Sequence, residues 1–215
     1  MTTILVTGSS RGIGAAIATA LGTLADTTVL GHATHSGIAA DLAQPDAAAR
    51  LWAEALDRAG GVIDILVNNA GIFEPKPFFE IPDGDWQRLF DVNVMSGVRL
   101  SRALTPGMVE RGWGRVVFIS SESAVNIPLE MIHYGMTKTA QLAIARGLAE
   151  LTKGTAVTVN SVLPGPTMSE GVEAFVKDLA RQNGQSVEEA AANFVKQHRP
   201  TSLLQRFASA LRQSK

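Results

Sequence analysis

A glycine-rich segment near the amino terminus constrains the fold of this chain more than any other feature. Residues 7–14 read TGSSRGIG; they follow the β-branched and apolar run TTILV and precede the helix-forming run AAIATAL. A buried strand is therefore predicted before the glycines and a helix after them. Glycines at such a turn let the backbone approach a diphosphate, and the helix N-terminus supplies free N–H groups and the positive end of its dipole. The spacing G-x-x-x-G-x-G departs from the common G-x-G-x-x-G fingerprint, so the position between strand and helix makes the segment informative.

The rest of the chain alternates between strand-like and helix-like segments. Strands are predicted at residues 4–6, 28–30, 38–40, 63–67, 115–119 and 156–162, and helices at about 13–23, 46–59, 83–111, 133–153, 170–182 and 187–198. Such alternation predicts a doubly wound parallel α/β sheet in one Rossmann domain of three layers over residues 1–215. Ligands of these sheets bind beyond the carboxyl ends of the strands, where Gly8, Asn68, Ser121 and Pro164 are predicted to lie.

Composition excludes several other classes of function. The 215 residues, 46% hydrophobic and 18% charged, are enough to bury a substantial core. A net charge of −1 provides no basic field for nucleic acid or an anionic membrane. The chain has no cysteine, and its four histidines lack ligand spacing, so no metal site is predicted. With no signal segment and no apolar run of about 18 residues, a cytoplasmic protein is expected.

The single tyrosine, Tyr134, has Lys138 four residues later and Ser121 thirteen residues earlier. On a helix, positions i and i+4 share one face, so the ammonium group is expected beside the phenol. A fixed positive neighbour stabilises the phenolate and is expected to lower the tyrosine pKa by roughly 1–3 units from its usual value near 10. The trio therefore predicts a proton-transfer site, the alternative being a surface tyrosine and lysine that fall at helical spacing by accident.

These motifs occur together in the order and approximate spacing of one family. TGSSRGIG, the NNAG segment at 68–71, Asn93, Ser121, Tyr134-x-x-x-Lys138 and Pro164-Gly165 resemble the short-chain dehydrogenase/reductases, in particular oxoacyl-reductase-like members, over residues 1 to about 207. The resemblance implies an NAD(P)-dependent oxidoreductase that transfers hydride between a nicotinamide cofactor and a carbonyl or secondary alcohol substrate.

The resemblance also assigns the catalytic roles. Ser121 would donate a hydrogen bond to the carbonyl oxygen, and Tyr134 would exchange its proton with that oxygen. Lys138 would lower the pKa of the tyrosine and hold the nicotinamide ribose. Asn93 would position a water that links the lysine to solvent. Ser120 is the competing serine, but the thirteen-residue offset favours Ser121.

Cofactor contacts follow from the same resemblance. Gly8, Gly12 and Gly14 would cradle the pyrophosphate, with Ser10 beside them and Ile13 over the nicotinamide-side ribose. The remaining contacts are Asp41 and Leu42 at the adenine, Asn68, Ala70 and Gly71 at the adenine ribose, Pro164, Gly165 and Thr167 at the nicotinamide carboxamide, and the catalytic Tyr134 and Lys138.

The choice of dinucleotide is a question of charge. An acidic residue at the end of the second strand would repel the 2′-phosphate on the adenosine ribose of NADP(H). That position falls within Gly31-His32-Ala33, which contains no carboxylate. Arg11 could meet that phosphate instead, and His32 could add a donor. NADP(H) is therefore favoured over NAD(H).

The chain departs from the family in two places. The second crossover, residues 31–37, is too short for the usual helix. The sequence also ends at Lys215 without the expected last helix and strand. The strand at 156–162 would then have an open edge unless the helical segments after Met168, the tail at 202–215 or a second chain covers it. This departure supports an alternative: a dinucleotide-binding protein without turnover, either an inactive truncated paralogue or a redox sensor.

Substrate and assembly are less constrained by the sequence. Residues 168–199 contain two amphipathic stretches that predict a lid over the substrate, although ordinary core packing would give the same pattern. Apolar residues at 127–131 favour a partly non-polar substrate, with acyl thioesters, sugars, steroids and small ketones all open. No nucleic-acid or membrane partner is expected, and a homodimer or homotetramer is predicted through the helices at 83–111 and 133–153.

Overall fold

The computed structural model describes residues 1–210, and its centre is one sheet of six parallel strands in the order β3-β2-β1-β4-β5-β6. The strands are β1 (Thr2–Thr7), β2 (Thr27–Ala33), β3 (Ile38–Ala39), β4 (Ile65–Asn68), β5 (Trp113–Ile119) and β6 (Ala156–Val162). The chain runs outward from β1 to β3 and then returns to place β4 on the other side of β1. A crevice therefore opens where the strand order reverses, at the carboxyl ends of β1 and β4. The predicted doubly wound fold is confirmed.

Helices cover both faces of this sheet. They are α1 (Gly12–Gly22), α2 (Ala47–Arg58), α3 (Asp83–Phe90), α4 (Ser96–Glu110), α5 (Ile132–Leu151), α6 (Glu170–Asn183) and α7 (Val187–His198). Successive side chains of a strand point to opposite faces. Accordingly, Leu5 packs into the core on one face, while Ile4 and Val6 pack into the core on the other. The two cores give the three predicted layers.

The helix predicted at 83–111 is not one regular helix. α3 and α4 are joined by a π-helical segment, Asp91–Met95, which carries Asn93. A π-helical turn accommodates an extra residue and shifts the side chains that follow it around the helix. This local widening aims the Asn93 side chain at the loop after β4, where it bonds Ile72.

The second crossover contains no helix, as the sequence predicts. β2 and β3 are joined by residues 34–37, and the turn is closed by a hydrogen bond from the Ala33 N–H to the Ser36 carbonyl, at 3.1 Å. Gly37 has φ of +67°, and a Cβ there would lie 2.3 Å from the carbonyl oxygen of Gly31. Only glycine fits this tight return between parallel strands.

The carboxyl-terminal region forms a separate layer over the strand ends. α6 begins at the N-cap Ser169, and α7 begins at a capping box of Ser186 and Glu189. The two helices share a small apolar cluster centred on Val176, Ala180 and Ala190. A short parallel pair, β7 (Thr167–Met168) and β8 (Ala208–Ser209), was not predicted because two-residue strands carry no periodic signal.

The outer edge of β6 pairs with no strand in residues 1–210. Of the covers considered for this edge, the described part of the tail does not pair with β6, because residues 208–209 pair with β7 instead. Residues 211–215 lie outside the described residues. No helix within residues 1–210 is long and apolar enough to span a membrane.

Candidate active site

Two adjoining cavities lie at the carboxyl ends of the strands. The first, of about 320 Å³, is bounded by the glycine loop, the end of β2 and the loop after β4. The second, of about 170 Å³, is bounded by Tyr134, the loop after β5 and the inner faces of α6 and α7. Phe73 lines both. The two cavities therefore adjoin at this side chain.

The glycine loop is packed so closely that a side chain is excluded at Gly8 and at Gly14. Gly8 has φ of +64°, and a Cβ there would lie 2.9 Å from the Cα of Ala70. At Gly14 a Cβ would lie 2.2 Å from the carbonyl oxygen of Gly8. α1 begins immediately afterwards and has no side-chain cap and no acidic residue in its first turn. A helix N-terminus suits an anion such as a diphosphate through its N–H groups and dipole, and here the Gly12 N–H is bonded by the Glu170 carboxylate.

Thr7 and Asn69 hold this loop against the end of β4. The Thr7 hydroxyl accepts hydrogen bonds from the N–H groups of Asn69 and Ala70, both at 2.9 Å. The Asn69 amide donates to the carbonyls of Thr7 and Gly8, at 2.9 and 3.0 Å. The sequence prediction did not include Asn69.

The prediction placed Asn68 at the cofactor, and the structure corrects it. Asn68 belongs to β4, is buried at 4% exposure, and donates a hydrogen bond to the Ser101 hydroxyl on α4. The first cavity is lined instead by the residues that follow, Asn69, Ala70 and Gly71. Neighbouring residues point to opposite sides where a strand ends, so which asparagine faces the cavity depends on where β4 stops.

The assignment of His32 as a phosphate donor also needs correction. Its ring is buried at 3% exposure, Nδ1 accepts the Gly8 N–H at 3.2 Å, and Nε2 lies 3.0 Å from the Ala40 carbonyl. These partners require the neutral tautomer with the proton on Nε2, which donates to Ala40. Burial lowers the pKa of His32, which favours the same neutral ring. Both nitrogens are engaged, so the imidazole supports the glycine loop and has no donor left for a phosphate.

Most other predicted cofactor residues line one of the two cavities. Those lining the first cavity are Gly8, Ser10, Arg11, Gly12, Ile13, Gly14, Asp41, Leu42, Ala70 and Gly71. Pro164, Gly165 and Thr167 line the second cavity beside Tyr134. The first cavity also contains Ser169, Glu170 and Gly171, which the prediction missed. The Glu170 carboxylate accepts the Gly12 N–H at 2.9 Å, a contact across 158 positions that no local pattern reveals.

Ser121 and Tyr134 form the polar centre of the second cavity. The Ser121 side chain is hydrogen-bonded to the Tyr134 hydroxyl and also accepts the Ser123 N–H at 3.1 Å. Ser120 faces α5 instead, where its hydroxyl donates to the Lys138 carbonyl at 2.9 Å. Burial raises the pKa of Tyr134 to about 12, and the hydrogen bond with Ser121 opposes this only in part. The expected lowering of the tyrosine pKa is therefore wrong for the protein without ligands.

Lys138 lies one helical turn from Tyr134, as the spacing predicts. Its Nζ is 5.5 Å from the centre of the tyrosine ring and donates to the Ile119 carbonyl at 3.0 Å and to Gln141 Oε1 at 3.4 Å. Burial lowers the pKa of this lysine to about 8. A Cβ on Gly71 would lie 3.6 Å from Nζ, so the ammonium reaches the wall of the first cavity.

Asn93 is held by protein groups on three sides. Its Oδ1 accepts the Ile72 N–H at 2.8 Å, and its Nδ2 donates to the Ile72 carbonyl and the Thr137 hydroxyl. Its backbone carbonyl accepts a hydrogen bond from Gln141 Nε2 at 2.6 Å. Gln141 thus bridges Asn93 and Lys138 with the two ends of one buried amide. The prediction missed it, although a glutamine three residues after Lys138 lies on the same helix face.

A charged cluster occupies one side of the second cavity. Arg199 is mostly buried, with 11% of its side chain exposed; its Nε lies 2.5 Å from Glu122 Oε1 and its Nη1 3.4 Å from Glu130 Oε1. The surrounding wall is apolar and is formed by Phe73, Pro75, Met131, Val172, Phe175, Phe194 and Phe207. The prediction did not include the cluster, since Arg199 and Glu122 are 77 positions apart.

Comparison with known proteins identifies the family. The family model described as short chain dehydrogenase matches residues 2–180. The uncharacterized oxidoreductase YvaG of Bacillus subtilis (strain 168) is 45% identical over 95% of this chain and 83% of its own length. The D-beta-hydroxybutyrate dehydrogenase of Rhizobium meliloti (strain 1021) is 32% identical over 93% of this chain and 84% of its own length.

Among solved structures, L-sorbose reductase from Gluconobacter frateurii, complexed with NADPH and L-sorbose, superimposes with a TM-score of 0.89 at 28% identity, covering 99% of this chain and 86% of that one. The sequence match extends over most of the chain, and the superposition includes the sheet edge that carries both cavities. The chain therefore belongs to the short-chain dehydrogenase family and is an NAD(P)-dependent oxidoreductase.

Proposed function

We propose that the protein reduces small carbonyl compounds with NADP(H) in preference to NAD(H), and oxidises the corresponding secondary alcohols in the reverse direction. The observation that carries this proposal is that Ser121 and Tyr134 both line the second cavity, which adjoins the first at Phe73. The nicotinamide, when bound, supplies or accepts the hydride.

Ser121 and Tyr134 would act on the carbonyl oxygen. A tyrosine with a pKa of about 12 is fully protonated at neutral pH, so it is ready to donate its proton as negative charge develops on that oxygen. Ser121 donates a second hydrogen bond to the same oxygen. Lys138 holds the nicotinamide ribose beside Gly71 and provides the nearby positive charge. Asn93 fixes the loop at Ile72 through its side chain, and its backbone carbonyl accepts a hydrogen bond from Gln141. The side-chain oxygen of Gln141 in turn accepts a hydrogen bond from Lys138.

The preference for NADP(H) rests on Arg11. Arg11 is exposed and lines the first cavity, and residues 31–34 at the end of β2 include no carboxylate; the carboxylates of this cavity, Asp41 and Glu170, come from other segments. A guanidinium at this position favours a 2′-phosphate through charge-assisted hydrogen bonds. Because the His32 ring is engaged with Gly8 and Ala40, the preference depends on Arg11 more heavily than the sequence suggested. The NADPH complex of L-sorbose reductase supports the same choice.

Residues 168–199 would form a lid. They contact both cavities, through Ser169 and Gly171 at the first and through Phe175 and Phe194 at the second. Their apolar stripes pack on each other in a cluster separate from the two sheet cores. Such a unit can move as one body when ligands enter.

A turnover assay tests the proposal. The protein is incubated with NADPH or NADH and a panel of small ketones and aldehydes, and loss of the reduced cofactor is followed by absorbance. Turnover with NADPH at lower KM than with NADH is expected. A thermal shift with either cofactor but no turnover of any carbonyl would instead identify a dinucleotide-binding protein without catalysis.

A further inference from the structure

We propose that the substrate is a small uncharged hydroxyketone, and that Glu122 and Glu130, held by Arg199, hydrogen-bond its hydroxyl group and exclude free carboxylates. This inference rests on the proposed function and names the substrate class for the same site. It is carried by the charges that line the second cavity.

Glu122, Glu130 and Arg199 are the charged side chains among the described residues that line this cavity. Two carboxylates and one guanidinium leave one net negative charge on the wall. The guanidinium is shared between the two carboxylates, because Nε bonds Glu122 and Nη1 bonds Glu130. A substrate carboxylate would therefore meet two like charges and a single cation that already pairs with both of them.

The cluster lies close to the reacting groups. Glu122 directly follows Ser121 in the chain, and Glu122 and Arg199 act in opposite directions on the pKa of Tyr134. A polar group attached one or two carbons from the carbonyl would reach the cluster while the carbonyl oxygen contacts Tyr134. Carboxylates accept hydrogen bonds and cannot donate them, so a hydroxyl group is a suitable partner at that position.

The rest of the wall suits a short carbon skeleton. Phe175, Phe194 and Phe207 pack together on the lid side, and Met131 and Pro75 complete the opposite side. Aromatic and apolar surfaces of this kind contribute to binding mainly by burying carbon. A volume of about 170 Å³ holds a small molecule of this type. The cavity thus combines an apolar wall with one acidic, hydrogen-bond-accepting side.

The inference separates this chain from one of its relatives. D-beta-hydroxybutyrate, in the name of the Rhizobium enzyme, carries a carboxylate, whereas L-sorbose, in the complex of the Gluconobacter enzyme, is an uncharged polyhydroxy ketone. The net charge of the cluster places this chain with the second kind of substrate.

The test compares two ketones of similar size, acetoacetate and 4-hydroxy-2-butanone, in which a hydroxymethyl group replaces the carboxylate. With NADPH, kcat/KM for the hydroxyketone should exceed that for acetoacetate by at least about tenfold, because like charges are kept apart in a partly buried site. Methyl acetoacetate, which is uncharged, should be reduced better than acetoacetate. Equal efficiency for acetoacetate and the hydroxyketone would overturn the inference.

Charge-removing variants provide the second arm. Glu122→Gln and Glu130→Gln each keep an oxygen that Arg199 can bond, and the double variant should raise the acetoacetate-to-hydroxyketone ratio of kcat/KM by at least about tenfold. The ratio cancels any effect on Tyr134 that all ketones share. Glu188→Gln, on the exposed side of α7, is the matched control and should leave the ratio unchanged. An unchanged ratio in the double variant would also contradict the inference.

Binding is measured separately from turnover. Thermal shifts with NADP⁺ and each ketone report binding whether or not the compound reacts. Turnover of acetoacetate with no preference for the hydroxyketone would leave the proposed function intact and reject this substrate class. If no carbonyl compound is turned over, the proposed function fails, and stronger binding of acetoacetate than of the hydroxyketone would then reject the inference independently.

Discussion

At Tyr134, burial and the hydrogen bond with Ser121 shift the pKa in opposite directions, and burial has the larger effect. The phenol is therefore protonated at neutral pH, and in the proposed mechanism it would donate its proton as charge develops on the substrate oxygen. Tyr134→Phe should lower the rate of carbonyl reduction by about a hundredfold or more, because it removes the proton donor. Cofactor affinity should stay nearly unchanged, because the substitution removes little contact with the dinucleotide. Steady-state rates and cofactor titrations measure both effects. A variant that retained a tenth of the wild-type rate would contradict the assigned role.

Lys138 and Gln141 provide a second prediction at the residue scale. The pKa of Lys138 is about 8, so the lysine loses its charge as pH rises through that value, and kcat/KM for reduction should fall above it. Gln141→Leu removes the acceptor for the ammonium and should move this fall to lower pH, whereas Gln141→Glu adds a carboxylate and should move it to higher pH. Rate profiles from about pH 6 to 10 test this.

The opposite direction of the two shifts separates positioning from a general loss of structure. A merely structural role for Gln141 would lower the rate of both variants at all pH values without moving the profile. Gln182→Leu, on the exposed surface of α6, is the matched control. Profiles that coincide with the wild type in both Gln141 variants would show that the bridge to Asn93 does not act on Lys138.

Among the secondary-structure elements, the loop that begins α1 carries the proposed preference for NADP(H). Arg11 is the N-cap residue of α1, and its side chain lines the first cavity. Arg11→Ala should weaken NADPH binding by roughly 1–3 kcal/mol and NADH binding much less, because only the phosphorylated ribose loses a charge-assisted hydrogen bond. Fluorescence titration with both cofactors measures the difference. Equal losses would point to a folding effect on the loop, and tighter NADH binding by the wild type would reject the charge argument.

The same elements show what the sequence could and could not predict. The glycines of the α1 loop and the Tyr134 to Lys138 spacing depend on local geometry, so local patterns predict them well. The π-helical segment Asp91–Met95 and the choice of Asn69 over Asn68 depend on how a helix and a strand end pack in three dimensions. Glu170, Gln141 and the Arg199 cluster were missed for the same reason, since each is brought to the site by tertiary contacts.

At the scale of the whole molecule, folding stability depends on a buried imidazole. His133 is fully buried beside Trp86, and neither ring nitrogen has a hydrogen-bond partner within the described residues. Burial lowers its pKa below the usual 6.5, so between the folded and unfolded values the unfolded chain binds more protons. The contribution of His133 to the free energy of unfolding is therefore fully present above about pH 6.5. It is lost as the pH falls towards and through the pKa of the folded state.

Urea unfolding at several pH values measures this dependence. His133→Phe should reduce the fall in the free energy of unfolding below about pH 6.5, because no proton can then be taken up at that position; the contribution of the buried His32 remains. His35→Gln, at an exposed loop position, is the control and should keep the wild-type slope. A slope in His133→Phe equal to that of the wild type would assign the pH dependence to other groups.

Association between chains is the last expectation at this scale. An apolar groove between α4 and α5 is lined by Val109, Ile144 and Leu148, and Leu151 at its end is 79% exposed. The outer edge of β6 offers a second surface that pairs with no strand in residues 1–210. Exposed apolar grooves and open strand edges favour association, so we expect a homodimer or homotetramer whose melting temperature rises with protein concentration.

Leu151→Glu places a charge in the α4–α5 groove and should shift the protein towards smaller species and lower its melting temperature. Leu24→Glu is the matched control, because Leu24 is also exposed, at 55%, but lies outside that groove. Light scattering and thermal melts over about a hundredfold range of concentration measure both effects, since binding between chains stabilises the folded state by mass action. A wild-type monomer with a constant melting temperature would show that neither surface associates. A concentration dependence unchanged by Leu151→Glu would instead place the contact at the β6 edge.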